Sequence, residues 1–228
     1  MRRLAVLIVA FALAGPAPAH AQAQRAAEVA AVRGAFDGYL AAGRAGDWAR
    51  AAGFIDSEYV RQLERVRRAA LFEPKDELLL EPFWFTLMVL GLRHGASREQ
   101  VEAAQGRAIL ALLSLSGTTS FAFDPATVSL ERIAIARGGQ RATAVLQIRE
   151  HPESFPVAFA REQGAWRLSW KPLLERLVAV GEEMLGITAR TPVAVRLTVV
   201  ERDLFPAMAQ LSGRAVSPDI WNPLRAGR

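Results

Sequence analysis

The chain has 228 residues, of which 28 are Lys or Arg and 23 are Asp or Glu, so its formal net charge is +5. It contains no cysteine, which excludes thiol nucleophiles, disulfides, iron–sulfur clusters and cysteine-ligated zinc. Its arginines are not interleaved with aromatic residues along one face, so we expect no nucleic-acid partner.

The first 21 residues have the pattern of a signal peptide. Arg2 and Arg3 are basic, residues 4–14 are apolar, and residues 19–21 (Ala-His-Ala) have the small residues that signal peptidase requires. An apolar stretch of 11 residues covers only about half of a ~30 Å hydrocarbon core, so no membrane span is expected. We therefore predict cleavage after Ala21 and a periplasmic or secreted protein.

Three helices are predicted next. The segment from about Gln24 to Ala45 has apolar residues at steps of three or four, which is typical of a helix with one buried face. Asp47 is suited to cap a short second helix that runs to Phe54, and Ser57 is suited to cap a third. The residues that share the apolar face of this third helix are Val60, Leu63, Val66 and Ala70.

The most apolar segment of the predicted mature chain is residues 78–92, with Pro82 suited to the first turn of a helix. Apolar residues surround this helix almost completely, which predicts either a central buried helix or an interface helix. Gly95 is expected to end it, residues 97–100 (Ser-Arg-Glu-Gln) have the pattern of a capping box, and residues 109–115 extend the helical region.

After Gly117 the apolar residues alternate with a period of two, which predicts strands. The alternation changes phase near Glu131-Arg132, where we expect a β-bulge, and Gly138-Gly139 and Gly164 are predicted turns of two hairpins. Four antiparallel strands with one bulky face require helices to cover them. The apolar positions of these strands are Val128, Leu130, Ile133, Ile135, Ala144, Leu146, Ile148, Phe155, Val157, Phe159, Trp166, Leu168 and Trp170.

The C-terminal part is predicted to be helical. A helix is expected from Pro172 through Met184. In residues 192–205 the β-branched side chains favour a strand and the length favours a helix, and we predict a helix. Residues 220–224 (Ile-Trp-Asn-Pro-Leu) are expected to be a packed terminal anchor.

Three segments carry a resemblance to a known family: residues 39–48 (YLAAGRAGDW), residues 54–56 (FID) and residues 164–170 (GAWRLSW). With three helices followed by a bent antiparallel sheet, they resemble the nuclear-transport-factor-2-like (NTF2-like) superfamily, which includes ketosteroid isomerases and SnoaL-like cyclases. The resemblance implies an α+β cone, with N-terminal helices packed on a curved sheet around an apolar pocket. It covers about residues 26–60 and 127–170.

The rest of the chain departs from the minimal cone. We expect residues 22–228 to form a single domain, in which about 72–117 are an inserted helical block and about 172–228 a C-terminal extension. This fold hosts enzymes and non-enzymes alike, so the resemblance implies no particular activity.

The candidate catalytic residues are Asp56, Tyr59 and His94. A carboxylate in an apolar cavity can act as a general base near neutral pH, as in cone-fold isomerases, with Tyr39 and Tyr59 as hydroxyl donors and His94 as a second acid–base group. Each residue also has a structural interpretation: Asp56-Ser57 fits a helix cap, and His94 fits the C-terminus of a helix. We expect His151 to be exposed between strands.

No metal or cofactor motif is present, so we expect neither. The aromatic residues that are candidates for a ligand pocket are Tyr39, Trp48, Phe83, Trp84, Phe155, Phe159, Trp166 and Trp170, with Arg149 and Glu150 at its rim. The leading hypothesis is an exported, non-catalytic protein that binds a small apolar molecule or a protein partner. The alternatives are an isomerase or cyclase with Asp56 as base, and a homodimer built on residues 82–92 and the sheet face.

Overall fold

The computed structural model describes residues 17–115, 127–149, 154–188 and 190–225. These residues have the α+β fold that the sequence predicts, with helices before and after a single antiparallel sheet. The basic and main apolar segments of the predicted signal peptide, together with Gly117, Glu150 and His151, lie outside the described residues.

The first half of the chain is helical. Its elements are α1 (Ala17–Arg44), α2 (Trp48–Ala52), α3 (Ser57–Phe72), α4 (Lys75–Leu78), α5 (Phe83–Gly95), α6 (Arg98–Ala103) and α7 (Ala108–Leu115). The predicted cleavage site after Ala21 falls within the first turns of α1. Two predicted caps are confirmed: Asp47 accepts a hydrogen bond from the Arg50 N–H, and Ser97 and Gln100 form a capping box.

One helix cap differs from the sequence-based prediction, and one short helix is additional to it. Asp56, and not Ser57, caps α3, because the Asp56 carboxylate accepts the Tyr59 N–H while the Ser57 hydroxyl donates to Glu162. The predicted position of Pro82 at the start of a helix is confirmed, whereas the short helix α4 before it was not predicted. Pro82 has no N–H to donate and disfavours helical geometry in the residue before it, so α4 ends at Leu78 and α5 begins after Pro82.

The sheet is a meander of four antiparallel strands in the order β1 (Val128–Ile135), β2 (Arg141–Ile148), β3 (Ser154–Glu162) and β4 (Ala165–Ser169). The predicted bulge is confirmed, because the pairing of β1 with β2 shifts between Glu131 and Ala134, and Arg132 has φ +49°. The predicted turns are confirmed as well. Gly138 and Gly164 have φ of +90° and +82°, a conformation that favours glycine.

The C-terminal elements are α8 (Lys171–Met184), α9 (Val193–Val199), a π-helical turn (Val200–Leu204), α10 (Phe205–Ser212) and a 3-10 turn (Pro218–Trp221). The prediction that residues 192–205 are helical is confirmed. Ile220 and Trp221 are buried, as expected for a packed terminal anchor.

The buried residues form three clusters. The sheet cluster joins one face of α1 to the inward-facing side chains of all four strands, such as Phe36, Leu130 and Phe159. The central cluster joins α3, α5 and α7, and the C-terminal cluster joins Phe83 and Leu90 to residues of the C-terminal elements. Because α5 contributes to two clusters and buries most of its residues, it is the central helix that its apolar sequence predicts.

Two consequences follow for the surfaces of the chain. A homodimer built on residues 82–92 would have to use a helix that a single chain already buries. Within the described ranges, no helix combines the length and the apolar character needed to cross a membrane.

Candidate functional site

Asp56 lies at the junction between α3 and β4 and is 3% exposed. Its N–H donates to the Leu168 carbonyl at 3.0 Å, and its Oδ1 accepts the Tyr59 N–H at 2.8 Å. Burial raises the pKa of Asp56, while hydrogen bonds from Tyr59 and Ser169 act in the opposite direction. The carboxylate therefore holds the first turn of α3 against the last residues of the sheet.

Two tyrosines and a tryptophan surround the same junction. Burial raises the pKa of both Tyr39 and Tyr59, so both hydroxyls stay protonated at neutral pH. The Tyr39 ring packs edge-on against Trp170, with 5.4 Å between ring centroids, and Trp170 Nε1 is buried without a hydrogen-bond partner in the described part of the chain. Four predicted site residues thus meet here: Tyr39, Asp56, Tyr59 and Trp170.

The other candidate aromatic residues lie in different places. Phe155, Phe159 and Trp166 pack in the sheet cluster, where Trp166 Nε1 donates to Glu28 at 2.9 Å. Trp84 packs against the central cluster and Phe83 in the C-terminal cluster, so the predicted pocket residues are divided among three clusters.

The two remaining candidates lie nearer the surface. The Trp48 indole lies beside Gly43, so close that a Cβ built there would be 3.4 Å from the ring. Arg149, a predicted rim residue, follows β2 and is exposed.

A cavity of about 340 Å³ lies between the end of α5, the start of α6 and the chain after α10. We call it the C-terminal cavity. Its lining residues are Arg93, His94, Gly95, Ala96, Ser97, Gln100, Arg214, Ala215, Ser217, Asp219, Ile220, Asn222, Pro223, Leu224 and Arg225. Its volume is at the lower end of the range that small-molecule sites occupy. His94 is the one predicted site residue among them.

Arg93 forms one wall of the C-terminal cavity and is only 7% exposed. Its guanidinium donates to the carbonyls of Ala69, Ala70 and Glu73, where α3 ends, and to those of Ile220 and Trp221. The last carbonyls of a helix have no partner within the helix, so Arg93 caps α3 and ties the C-terminal turn to it. Burial lowers the pKa of Arg93 to about 10, while the nearby Glu73 carboxylate raises it.

His94 continues this wall and lies 2.7 Å from the Ser212 hydroxyl through Nε2. The carbonyls of Met208, Ala209 and Arg214 surround that hydroxyl, and a hydroxyl has one proton to donate. The one proton of the Ser212 hydroxyl thus has three main-chain carbonyls as acceptors besides His94, so the His94–Ser212 contact does not by itself define a nucleophile and its base. Burial and the Arg214 charge lower the pKa of His94, which leaves the ring neutral at pH 7.

The chain that closes the C-terminal cavity is fixed at several points. The Leu224 N–H donates to the Ala70 carbonyl at 3.2 Å, and Arg98 Nη1 donates to the Leu224 carbonyl at 2.7 Å. Trp221 Nε1 donates to Glu201 at 3.0 Å. These bonds hold the segment after α10 across the ends of α3 and α5, so the cavity has a defined wall on each side.

Two cationic side chains at the cavity remain available to a ligand. Arg214 and Arg225 are exposed, and within the described ranges neither has a carboxylate at ion-pair distance. Ser97 and Gln100 are already bound to each other's main chain in the capping box of α6. The sequence analysis does not identify Arg93, Arg214 or Arg225 as site residues. The one local signal is Arg93-His94, a polar pair at the end of an otherwise apolar helix.

Comparisons with known proteins do not assign a function. Neither a scan against family models nor searches among curated proteins and solved structures found a match. In the part of the chain that the structure describes, no group of three or more His, Asp or Glu side chains is placed to hold a metal ion. The function is therefore inferred from the residues of this chain alone.

Proposed function

We propose that this chain is an exported, non-catalytic binding protein that holds a small polar molecule in the C-terminal cavity. The observation that carries the proposal is a concave space of about 340 Å³ whose walls are fixed by Arg93. Its rim has two arginines, Arg214 and Arg225, that have no carboxylate partner in the part of the chain that the structure describes. Pre-formed cavities with a few convergent polar groups are typical of ligand sites.

The absence of catalysis is supported by how the candidate acid–base groups are used. Asp56 accepts the Tyr59 N–H and holds α3 to β4, which is the cap interpretation of this residue. His94 is hydrogen-bonded to Ser212, whose hydroxyl also has main-chain carbonyls within hydrogen-bond distance.

A polar ligand is favoured over the apolar ligand that the aromatic residues suggest. Those residues are packed into three clusters, and the ends of the Arg214 and Arg225 side chains favour a ligand with hydrogen-bond acceptors. The NTF2-like resemblance and export remain part of the proposal. They are supported by the N-terminal helices, by the bulged antiparallel meander that α1 packs on, and by the signal-peptide pattern.

Native and denaturing mass spectrometry test the proposal. The mature chain is purified without detergent from an exporting host and incubated with a small-molecule extract of that host. We expect an extra mass that is lost on denaturation. The mass should be lost in Ala215→Trp, which fills the C-terminal cavity, and kept in Ala31→Trp, a matched substitution in the cleft beside α1. No retained mass, or retention in Ala215→Trp, would contradict the proposal.

A second candidate function is the isomerase or cyclase in which Asp56 is the base. One observation favours it, namely that burial raises the pKa of Asp56. Asn caps a helix as well as Asp but cannot take a proton, so Asp56→Asn separates the two roles. Loss of turnover in Asp56→Asn with unchanged stability would support the enzyme, and retained ligand mass in this variant supports the binding protein.

A further inference from the structure

We infer that the molecule held in the C-terminal cavity carries an oxyanion, a carboxylate or phosphate group, that Arg214 and Arg225 bind. This inference rests on the proposed function and adds the chemical class of the ligand. It follows from the balance of charge around the cavity, from the position of Arg214 and from the geometry of guanidinium groups.

The charged groups that line the cavity are mostly cationic. Arg93, Arg214 and Arg225 carry positive charge, and Asp219 carries the one negative charge among the lining residues. Neighbouring Arg98 does not add to this excess, because its Nε lies 2.7 Å from Glu102. The lining therefore has a surplus of positive charge that a bound anion would offset.

The buried position of Arg93 strengthens the positive potential. Its N–H groups bind main-chain carbonyls, which satisfy its hydrogen bonds but do not neutralise its charge, and no carboxylate in the described ranges pairs with it within 4 Å. Charges interact more strongly where water is excluded. Burial is the main reason that the pKa of His94 is lowered, and the Arg214 charge, which lowers it further, is consistent with this potential. The charge of Arg93 therefore makes the potential in the cavity more positive. Arg93 does not bind an anion directly, because its N–H groups are already bound to carbonyls.

Arg214 is placed to supply the direct contact. Gly213 takes the left-handed conformation with φ +67°, which ends α10 and turns the chain back across the cavity. The Arg214 N–H then donates to Ser212 Oγ at 3.2 Å, the same oxygen that His94 contacts. The backbone of Arg214 is therefore fixed while its guanidinium is exposed at the cavity. A guanidinium presents parallel N–H groups that match the two oxygens of a carboxylate or phosphate.

Thermal stability in the presence of matched probes tests the inference. The melting temperature of the mature chain is measured with benzoate and with benzamide, which differ in charge but little in shape, and with inorganic phosphate, at constant ionic strength. We expect benzoate or phosphate to raise the melting temperature in a concentration-dependent manner and benzamide to leave it unchanged. Stabilisation by benzoate alone identifies a carboxylate ligand, and stabilisation by phosphate alone identifies a phosphate ligand.

The variant Arg214→Gln makes the test specific to the cavity. Loss of a charged hydrogen bond should weaken the apparent affinity for the anion about tenfold or more. Arg33→Gln, which removes an exposed arginine from α1, should leave the affinity unchanged. An equal loss in both variants would show a nonspecific effect of net charge and would overturn the inference.

The outcomes separate this inference from the proposed function. If a mass is retained in native spectra but belongs to a neutral molecule, the inference of an oxyanion ligand is wrong while the proposed binding function stands. The same holds if a mass is retained and none of the anions stabilises the chain. If no mass is retained and no probe stabilises the chain, both are wrong. If Arg214→Gln binds the stabilising anion as tightly as the unmodified chain, the anion lies elsewhere and the inference is overturned.

Discussion

Two junctions of this molecule bury charged or polar side chains to a similar degree, and they differ in what lies beside them. At the junction of α3 and β4, Asp56 is 3% exposed, and its hydrogen bonds join the start of the helix to the end of the strand. At the junction of α5 with the C-terminal segment, Arg93 and His94 are 7% and 8% exposed and form the wall of a cavity. A perturbed pKa marks both junctions, so it does not by itself identify a binding site. The second junction is distinguished by the cavity that its buried side chains, Arg93 and His94, line.

The largest effect is expected when Arg93 is replaced at the junction of α5 with the C-terminal segment, and it is an effect on stability. In Arg93→Met the main-chain carbonyls at the end of α3 and in the C-terminal turn lose the hydrogen bonds that Arg93 donates, so the free energy of unfolding should fall by about 3 kcal/mol or more. Urea denaturation measures this, with Arg33→Met as the exposed control. A loss below about 1 kcal/mol would mean that water replaces Arg93 at these carbonyls and that the cavity wall is not fixed by it.

A smaller loss of stability is expected at the Asp56 junction. Asp56→Ala removes the cap of α3 and should cost about 1–2 kcal/mol, whereas Asp56→Asn keeps an acceptor and should cost much less. The same denaturation curves measure both variants. Equal losses in the two would show that the charge of Asp56, and not its role as acceptor, stabilises the junction.

The titration of His94 should make the stability of the chain depend on pH. Its pKa in the folded chain lies below its value in the unfolded chain, which is about 6.5. The unfolded chain therefore takes up the proton first as pH falls, and the stability present above pH ~6.5 is lost towards the lower folded pKa. His94→Gln does not titrate in this range, so the stability of the unmodified chain relative to His94→Gln should fall below pH ~6.5. A constant difference would contradict the assignment.

Arg214 is expected to have the smallest effect on stability. Its side chain is exposed and makes no ion pair in the described ranges, so Arg214→Gln should change the free energy of unfolding by less than about 0.5 kcal/mol. Thermal denaturation without ligand measures this. A larger loss would mean that Arg214 supports the fold and is not free to bind a ligand.

Local signals in the sequence were enough to predict most of the elements. The capping box at Ser97 and the glycine turns at Gly138 and Gly164 follow from side-chain and backbone chemistry within a few residues. The β-bulge near Glu131 follows from the phase of the apolar residues. The start of α5 follows from Pro82, whereas the short helix α4 before it was not predicted.

The candidate site was far less accessible to sequence reasoning. Arg93 binds carbonyls of residues 69–73 and 220–221, and such long-range pairing leaves no pattern in a single sequence. His94 was recognised as a polar residue at the end of a helix, but its partner Ser212 lies 118 positions away. The C-terminal cavity exists because two distant segments meet, so its lining residues could be identified only from the fold.

A crystal structure of the mature chain, prepared so that native mass spectrometry shows a retained mass, would test the central claim most directly. The account predicts electron density for the retained molecule between the end of α5 and residues 214–225, with Arg214 within hydrogen-bond distance of it. Density among the aromatic side chains between α1 and the sheet, with the C-terminal cavity empty, would contradict the account.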